Sequence, residues 1–147
     1  MDKFKVYAQE ETTKSYLGIR VVSSIQVTVS TSDVPFAGTD AHVHLNIGSI
    51  DDLYLKKADE NDFKSGETGT YEFDINCTLG ALRSEQIELG HDNTGKLPGW
   101  CVSNVAIQVK FTGSESYVLY KQWGEIGWLA TGEAPYHTTV VELQEGL

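Results

Sequence analysis

The sequence predicts a single antiparallel all-β domain, stacked as a sandwich or closed as a barrel, on three observations. Apolar and polar residues alternate along several short stretches, the mark of strands with one buried face. Val, Ile, Thr and Tyr fill those stretches, and long helix-favouring runs are missing. Fourteen glycines fall mostly between them, where tight turns are needed. A chain of 147 residues that is 40% hydrophobic is one domain in size and too apolar for a disordered acidic polymer.

Taken in order, Phe4-Lys5-Val6-Tyr7 and Leu17 to Val22 read as edge strands around a polar turn, or as a partly ordered leader. Regular alternation begins at Ile25-Gln26-Val27-Thr28-Val29. In Ala41-His42-Val43-His44-Leu45-Asn46-Ile47 the odd positions are apolar, which fixes the core face. Further strands are expected at Leu53 to Lys56, Thr70 to Ile75, Gln86 to Gly90, Val102 to Val109, Tyr117 to Gln122 and Thr138 to Leu143. Ser65-Gly66, Asp92-Asn93-Thr94-Gly95, Pro98-Gly99 and Thr112-Gly113-Ser114 supply the turns between them.

A formal charge of −10 argues against nucleic acid, whose phosphates are held by clustered Lys and Arg. It equally disfavours unaided docking on an anionic membrane, unless a bound cation reverses the local sign. No stretch is long enough to span a bilayer, so any membrane role is peripheral. The N-terminus lacks the apolar core of a secretory signal, which leaves a cytoplasmic protein or an extracellular domain without its leader. Cys77 and Cys101 allow one disulfide, but lone buried thiols are the usual state in a domain with an adequate core.

Acidic and small residues gather in three loops, residues 31–40, 57–63 and 91–100. Such loops are ordinary turn formers, and they are also what calcium needs, since it takes six to eight oxygen ligands from carboxylates and carbonyls. The ordered set Ala37-Gly38-Thr39-Asp40-Ala41, Asn61-Asp62-Phe63 with Gly66, Leu79-Gly80, His91-Asp92-Asn93 and Pro98-Gly99-Trp100 resembles the PLAT domain. Polycystins, lipoxygenases and the clostridial alpha-toxin phospholipases share that module. The resemblance runs from Ile25 to Leu143 and implies an antiparallel eight-stranded β-sandwich of two sheets. On this reading residues 1–24 are an N-terminal extension or edge strands, and 25–147 are the PLAT-like domain.

The resemblance also implies a non-catalytic targeting role at a membrane lipid surface or a partner protein, often with calcium. The toxin version has a carboxylate just before its Ala-Gly pair and an acid after the proline of the third loop. Here those positions hold Phe36 and Gly99. Asp62 matches a toxin ligand, and the expected set is a weak site built from Asp33, Gly38, Asp59, Glu60, Asp62 and Asp92. Phe36 has two readings, insertion into a lipid interface or a plug over the end of the sandwich. Trp100 is assigned to packing, whereas the Gly-rich run Trp123 to Trp128 can display both tryptophans as a lipid or partner contact, with core burial the more usual state for at least one of them.

His42 and His44 share a strand face with Asp40, a spacing compatible with zinc or copper, but no third strong ligand accompanies them. No nucleophile motif and no phosphate-cradling glycine loop is present. Two alternatives to the targeting module remain. One is a carbohydrate-binding sandwich with structural calcium and a platform of Tyr117, Tyr120, Trp123 and Trp128. The other is a structural or stress-related domain without a ligand.

Overall fold

The computed structural model describes residues 4–8, 10–11, 19–56, 62–133 and 137–145. Among the described residues ten strands run in chain order: β1 (Phe4–Ala8), β2 (Glu10–Glu11), β3 (Val21–Thr31), β4 (Val43–Ile47), β5 (Asp51–Tyr54), β6 (Thr68–Thr78), β7 (Ile87–His91), β8 (Trp100–Phe111), β9 (Val118–Leu129) and β10 (Val140–Glu145). One short helix, α1 (Leu79–Arg83), follows β6. Strands β3 to β10 form two four-stranded antiparallel sheets, ordered β10-β7-β4-β5 and β9-β8-β3-β6. That is the eight-stranded sandwich the resemblance implies. Each sheet gains one N-terminal edge strand: β1 lies parallel to β10, and β2 lies antiparallel to β9.

Alternation sets the core. Val43, Leu45 and Ile47 of β4 are fully buried, while His44 and Asn46 between them are only half-buried. From the other sheet Ile25, Val27 and Val29 meet them in one cluster with Leu89, Val105, Ile107 and Val109. Burial of this kind contributes roughly 1.5–3 kcal/mol for each large side chain.

The expected boundaries shift where turn chemistry decides them. Ile47 and Asp51 pair across a tight turn, which moves β5 earlier than Leu53 to Lys56. Gly48 sits in that turn at φ +43°, a conformation that side chains strain to adopt. The helix α1 is an addition to the expected strands: Thr78 caps it by accepting the Ala81 N–H at 3.1 Å, and Leu79 and Leu82 are its buried residues.

The largest correction concerns β9, which continues through Trp123 to Leu129 rather than ending at Gln122. Its pairing with β8 shifts register between Val102 and Asn104, opposite Gly124 to Gly127. Glu125 at φ +52° and Gly127 at φ +99° form that bulge. The bulge lets Trp123, Ile126 and Leu129 all face inward, each at most 1% exposed. Trp123 donates its Nε1–H to the Gln144 carbonyl at 2.8 Å, so the indole is satisfied in the core. It is therefore no surface contact. Trp128 is half-buried on the strand.

Candidate functional site

Residues 31–40, 62–66 and 97–101 meet at one end of the sandwich, tied by backbone hydrogen bonds. Thr39 N–H donates to the Phe63 carbonyl at 3.1 Å, and Asp40 N–H to the Leu97 carbonyl at 3.2 Å. Gly66 N–H donates to the Ser32 carbonyl at 3.1 Å, and Cys101 N–H to the Ala37 carbonyl at 2.9 Å. Gly38 is required for this approach, because a Cβ there would lie 2.6 Å from the Phe63 carbonyl oxygen. Phe63 and Trp100 anchor the loops from below. Phe63 packs its ring edge to face on Trp100 at 5.1 Å, and Trp100 donates its Nε1–H to the buried Thr31 hydroxyl at 2.9 Å.

Between these loops opens a cleft of about 620 Å³, within the common range for small-molecule sites. Asp40 and Asp62 line it with Lys56 and Lys64, and Phe36, Tyr54 and Leu97 supply apolar surface. Phe36 is 80% exposed and Leu97 62%, so Phe36 is not a plug over the sandwich. Its backbone is held at φ +63°, an uncommon conformation for a bulky residue. Lys56, Lys64, Tyr54 and Leu97 were not singled out from the sequence. Their proximity follows from the cross-loop pairings, and no local pattern encodes it.

Of the expected calcium ligands, Gly38 and Asp62 line this cleft. Asp33 instead lies under Gly66, and Asp92 lines a second groove on the outer face of the β4 sheet. Asp59 and Glu60 lie outside the described residues. Asp62 accepts the Tyr71 hydroxyl at 3.0 Å. Asp92 is committed to its own turn: it accepts from the Thr94 hydroxyl at 2.6 Å, the Thr94 N–H at 3.2 Å and the His42 N–H at 3.1 Å, and it pairs with His42 Nδ1 at 2.6 Å. Desolvation pushes the Asp92 pKa up, but the hydrogen bonds from Thr94 and His42 together outweigh it and hold the carboxyl well below the usual range. Among the described residues no three His, Cys, Asp or Glu side chains form a group able to hold a metal.

His42, just before β4, and His44 within it separate as well. His42 pairs with Asp92, and His44 lies 3.3 Å from Asp52 and stacks on Tyr54 with ring centroids 5.0 Å apart. Thr94, His42 and Asp92 look at first like nucleophile, base and acid. However, the hydroxyl and the imidazole both turn to the same carboxylate, and Nδ1 cannot take the threonine proton while Asp92 holds it. The cluster fixes a turn. The tyrosine and tryptophan platform of the carbohydrate reading is also dismantled, since Tyr120 and Trp123 are both fully buried.

The PLAT/LH2 domain family model matches residues 25–125. Lipoxygenase homology domain-containing protein 1 of mouse and of human is 38% identical over 91 residues, covering 58% of this chain. The chain spans 4% of the length of these curated relatives. Among solved structures, coral 8R-lipoxygenase, described with calcium activation via a C2-like domain, superposes with a TM-score of 0.56 at 26% identity. That match covers 84% of this chain and 17% of the lipoxygenase. The alpha toxin of Clostridium absonum shares the fold with a TM-score of 0.61 at 19% identity, over 82% of this chain and 32% of the toxin.

Proposed function

Because the chain belongs to the PLAT/LH2 domain family, we propose that it is a non-catalytic targeting module that docks end-on at a lipid surface through its Phe36 loop. The observation that carries this reading is Phe36 itself, 80% exposed at the tip of a loop braided into its neighbours. A phenyl ring held in strained backbone without burial gains nothing for the fold. It gains at a lipid interface, where aromatic rings are favoured. Leu97 at 62% exposure and Val34 at 43% add apolar surface from the same loops. Rigid braiding matters because the loops are ordered before contact, so less conformational entropy is lost on docking.

On this reading docking proceeds without calcium. The test is co-sedimentation with lipid vesicles, in calcium and in chelator, for the wild-type chain and for Phe36→Asn. Binding by the wild type in both conditions, weakened in the variant, is the expected result. No sedimentation with vesicles of any composition would refute docking on lipid and leave a protein partner for the same apolar end. Binding only in calcium would show that a cation bridges the surface.

A further inference from the structure

We infer that the cleft behind Phe36 receives a zwitterionic phospholipid headgroup, with the lysines on its phosphate and the acid and aromatic side chains on its ammonium. The inference rests on the lipid-docking reading and names the headgroup class. The chain carries a net charge of −10, so an anionic leaflet repels it as a whole. Yet the cleft is lined by charges of both signs, Lys56 and Lys64 with Asp40 and Asp62. A purely anionic headgroup would meet the two carboxylates unfavourably, and a purely cationic ligand would meet the two ammonium groups.

A headgroup carrying one charge of each sign matches both pairs. Lysine ammonium groups bind phosphate oxygens through charge-assisted hydrogen bonds. Asp40, exposed at the rim, offers a carboxylate to the lipid ammonium, and Asp62 adds a fixed negative charge deeper in the loops. Tyr54 at 39% exposure and Phe36 contribute ring surface, and quaternary ammonium groups are recognised on such aromatic faces. Phe36 and Leu97 then point the site at the acyl boundary, where a headgroup is found. A neutral leaflet removes the long-range repulsion that an acidic protein otherwise faces, and no bridging cation is required.

The experiment is vesicle co-sedimentation in chelator, with pure phosphatidylcholine vesicles and with phosphatidylglycerol vesicles of the same size. The proteins are wild type, Lys64→Ala, Asp40→Asn and Phe36→Asn, with thermal melts to confirm folding. Wild type is expected to prefer phosphatidylcholine. Lys64→Ala should weaken that binding by about tenfold, the effect of losing one hydrogen bond to a charged group, and Asp40→Asn by a smaller factor, since the quaternary ammonium has no N–H and gives an exposed carboxylate only charge attraction. Stronger binding to phosphatidylglycerol than to phosphatidylcholine would overturn the inference. So would phosphatidylcholine binding that survives Lys64→Ala and Asp40→Asn but falls in Phe36→Asn, a result that keeps lipid docking and removes the headgroup site. No wild-type binding to either vesicle would refute docking and headgroup site together.

Discussion

Replacing Phe36 by Asn should move binding and stability in opposite directions. Complete burial of a Phe side chain is worth about 1.5–3 kcal/mol. With 80% of Phe36 exposed in the free protein, most of that gain is still to be made on docking. Scaled by exposure, the loss on substitution is about 1.2–2.4 kcal/mol, or roughly 7- to 50-fold in vesicle affinity. In the free protein the same ring makes little contact, and its backbone sits at φ +63°. Asn tolerates that conformation far better than Phe does, so the fold should be unharmed or gain up to about 1 kcal/mol. Two assays on one sample decide: vesicle titration for affinity and a thermal melt for stability. A variant that binds like wild type, or that melts several degrees lower, would show that Phe36 serves the fold.

Three further substitutions test the scaffold beneath the site. Gly38→Ala places a Cβ 2.6 Å from the Phe63 carbonyl oxygen, backbone against backbone, and should destabilise. The loss should be about 1–3 kcal/mol, read as a lowered melting temperature, and an unchanged melt would mean the loops are not braided as described. Trp123→Phe removes the N–H donated to the Gln144 carbonyl and should lower stability by about 1–3 kcal/mol. Vesicle affinity of the folded protein should be unchanged, and a weakened affinity would return this indole to the docking surface. His91 is buried, and that burial lowers its pKa against the opposing effects of the Leu129 carbonyl and Asp92. Its neutral ring donates Nε2–H to the Leu129 carbonyl at 2.6 Å and accepts the Asn93 N–H on Nδ1 at 3.0 Å. The unfolded chain therefore binds this proton more readily, so the contribution of His91 is complete above about pH 6.5 and declines as the pH falls below it. Melts at pH 7.5 and 5.5 should show a smaller drop for His91→Gln than for wild type, and an equal drop would assign the loss elsewhere.

Strand β4 was legible because its alternation is enforced by physics: one face meets the opposite sheet and the other does not. The second half of β9 was not, since Gly124 and Gly127 look like loop residues when read along the chain. Their use becomes visible only against β8, where the bulge lets Trp123, Ile126 and Leu129 share the core. Phe36 stood out as an aromatic in a polar loop, though only the fold decides between plug and exposed ring. The expected calcium set shows what chain order leaves open. Proximity along the chain placed Asp33 and Asp92 beside Gly38 and Asp62, but Asp33 turned to Gly66 and Asp92 to His42 and Thr94. Oxygen-rich loops announce available ligands, and hydrogen bonding within the loops determines which ones are already used. Lys56 and Lys64 carried no local signal at all: the Leu55 N–H on the Val43 carbonyl sets one beside the cleft, and the Thr39 N–H on the Phe63 carbonyl sets the other.

Salt separates the headgroup reading from simple charge attraction. Exposed charges are screened beyond about 10 Å at 0.1 M ionic strength and beyond about 3 Å at 1 M. If an acidic protein approaches an anionic vesicle, the long-range force opposes contact, so added salt should strengthen that binding. A basic patch acting alone on anionic lipid would give the reverse, since each lysine contact is weakened by salt. On a zwitterionic leaflet there is little long-range force in either direction. What remains is apolar insertion of Phe36 and Leu97, which salt does not weaken, together with contacts shorter than the screening length at these salt concentrations. Affinity for phosphatidylcholine vesicles should therefore stay within about twofold as salt rises from 0.1 to 0.5 M, while the weaker affinity for phosphatidylglycerol rises. A steep fall of both with salt would mean that the lysines act as an ordinary basic patch, and the carboxylates in the cleft would then have no part in lipid choice.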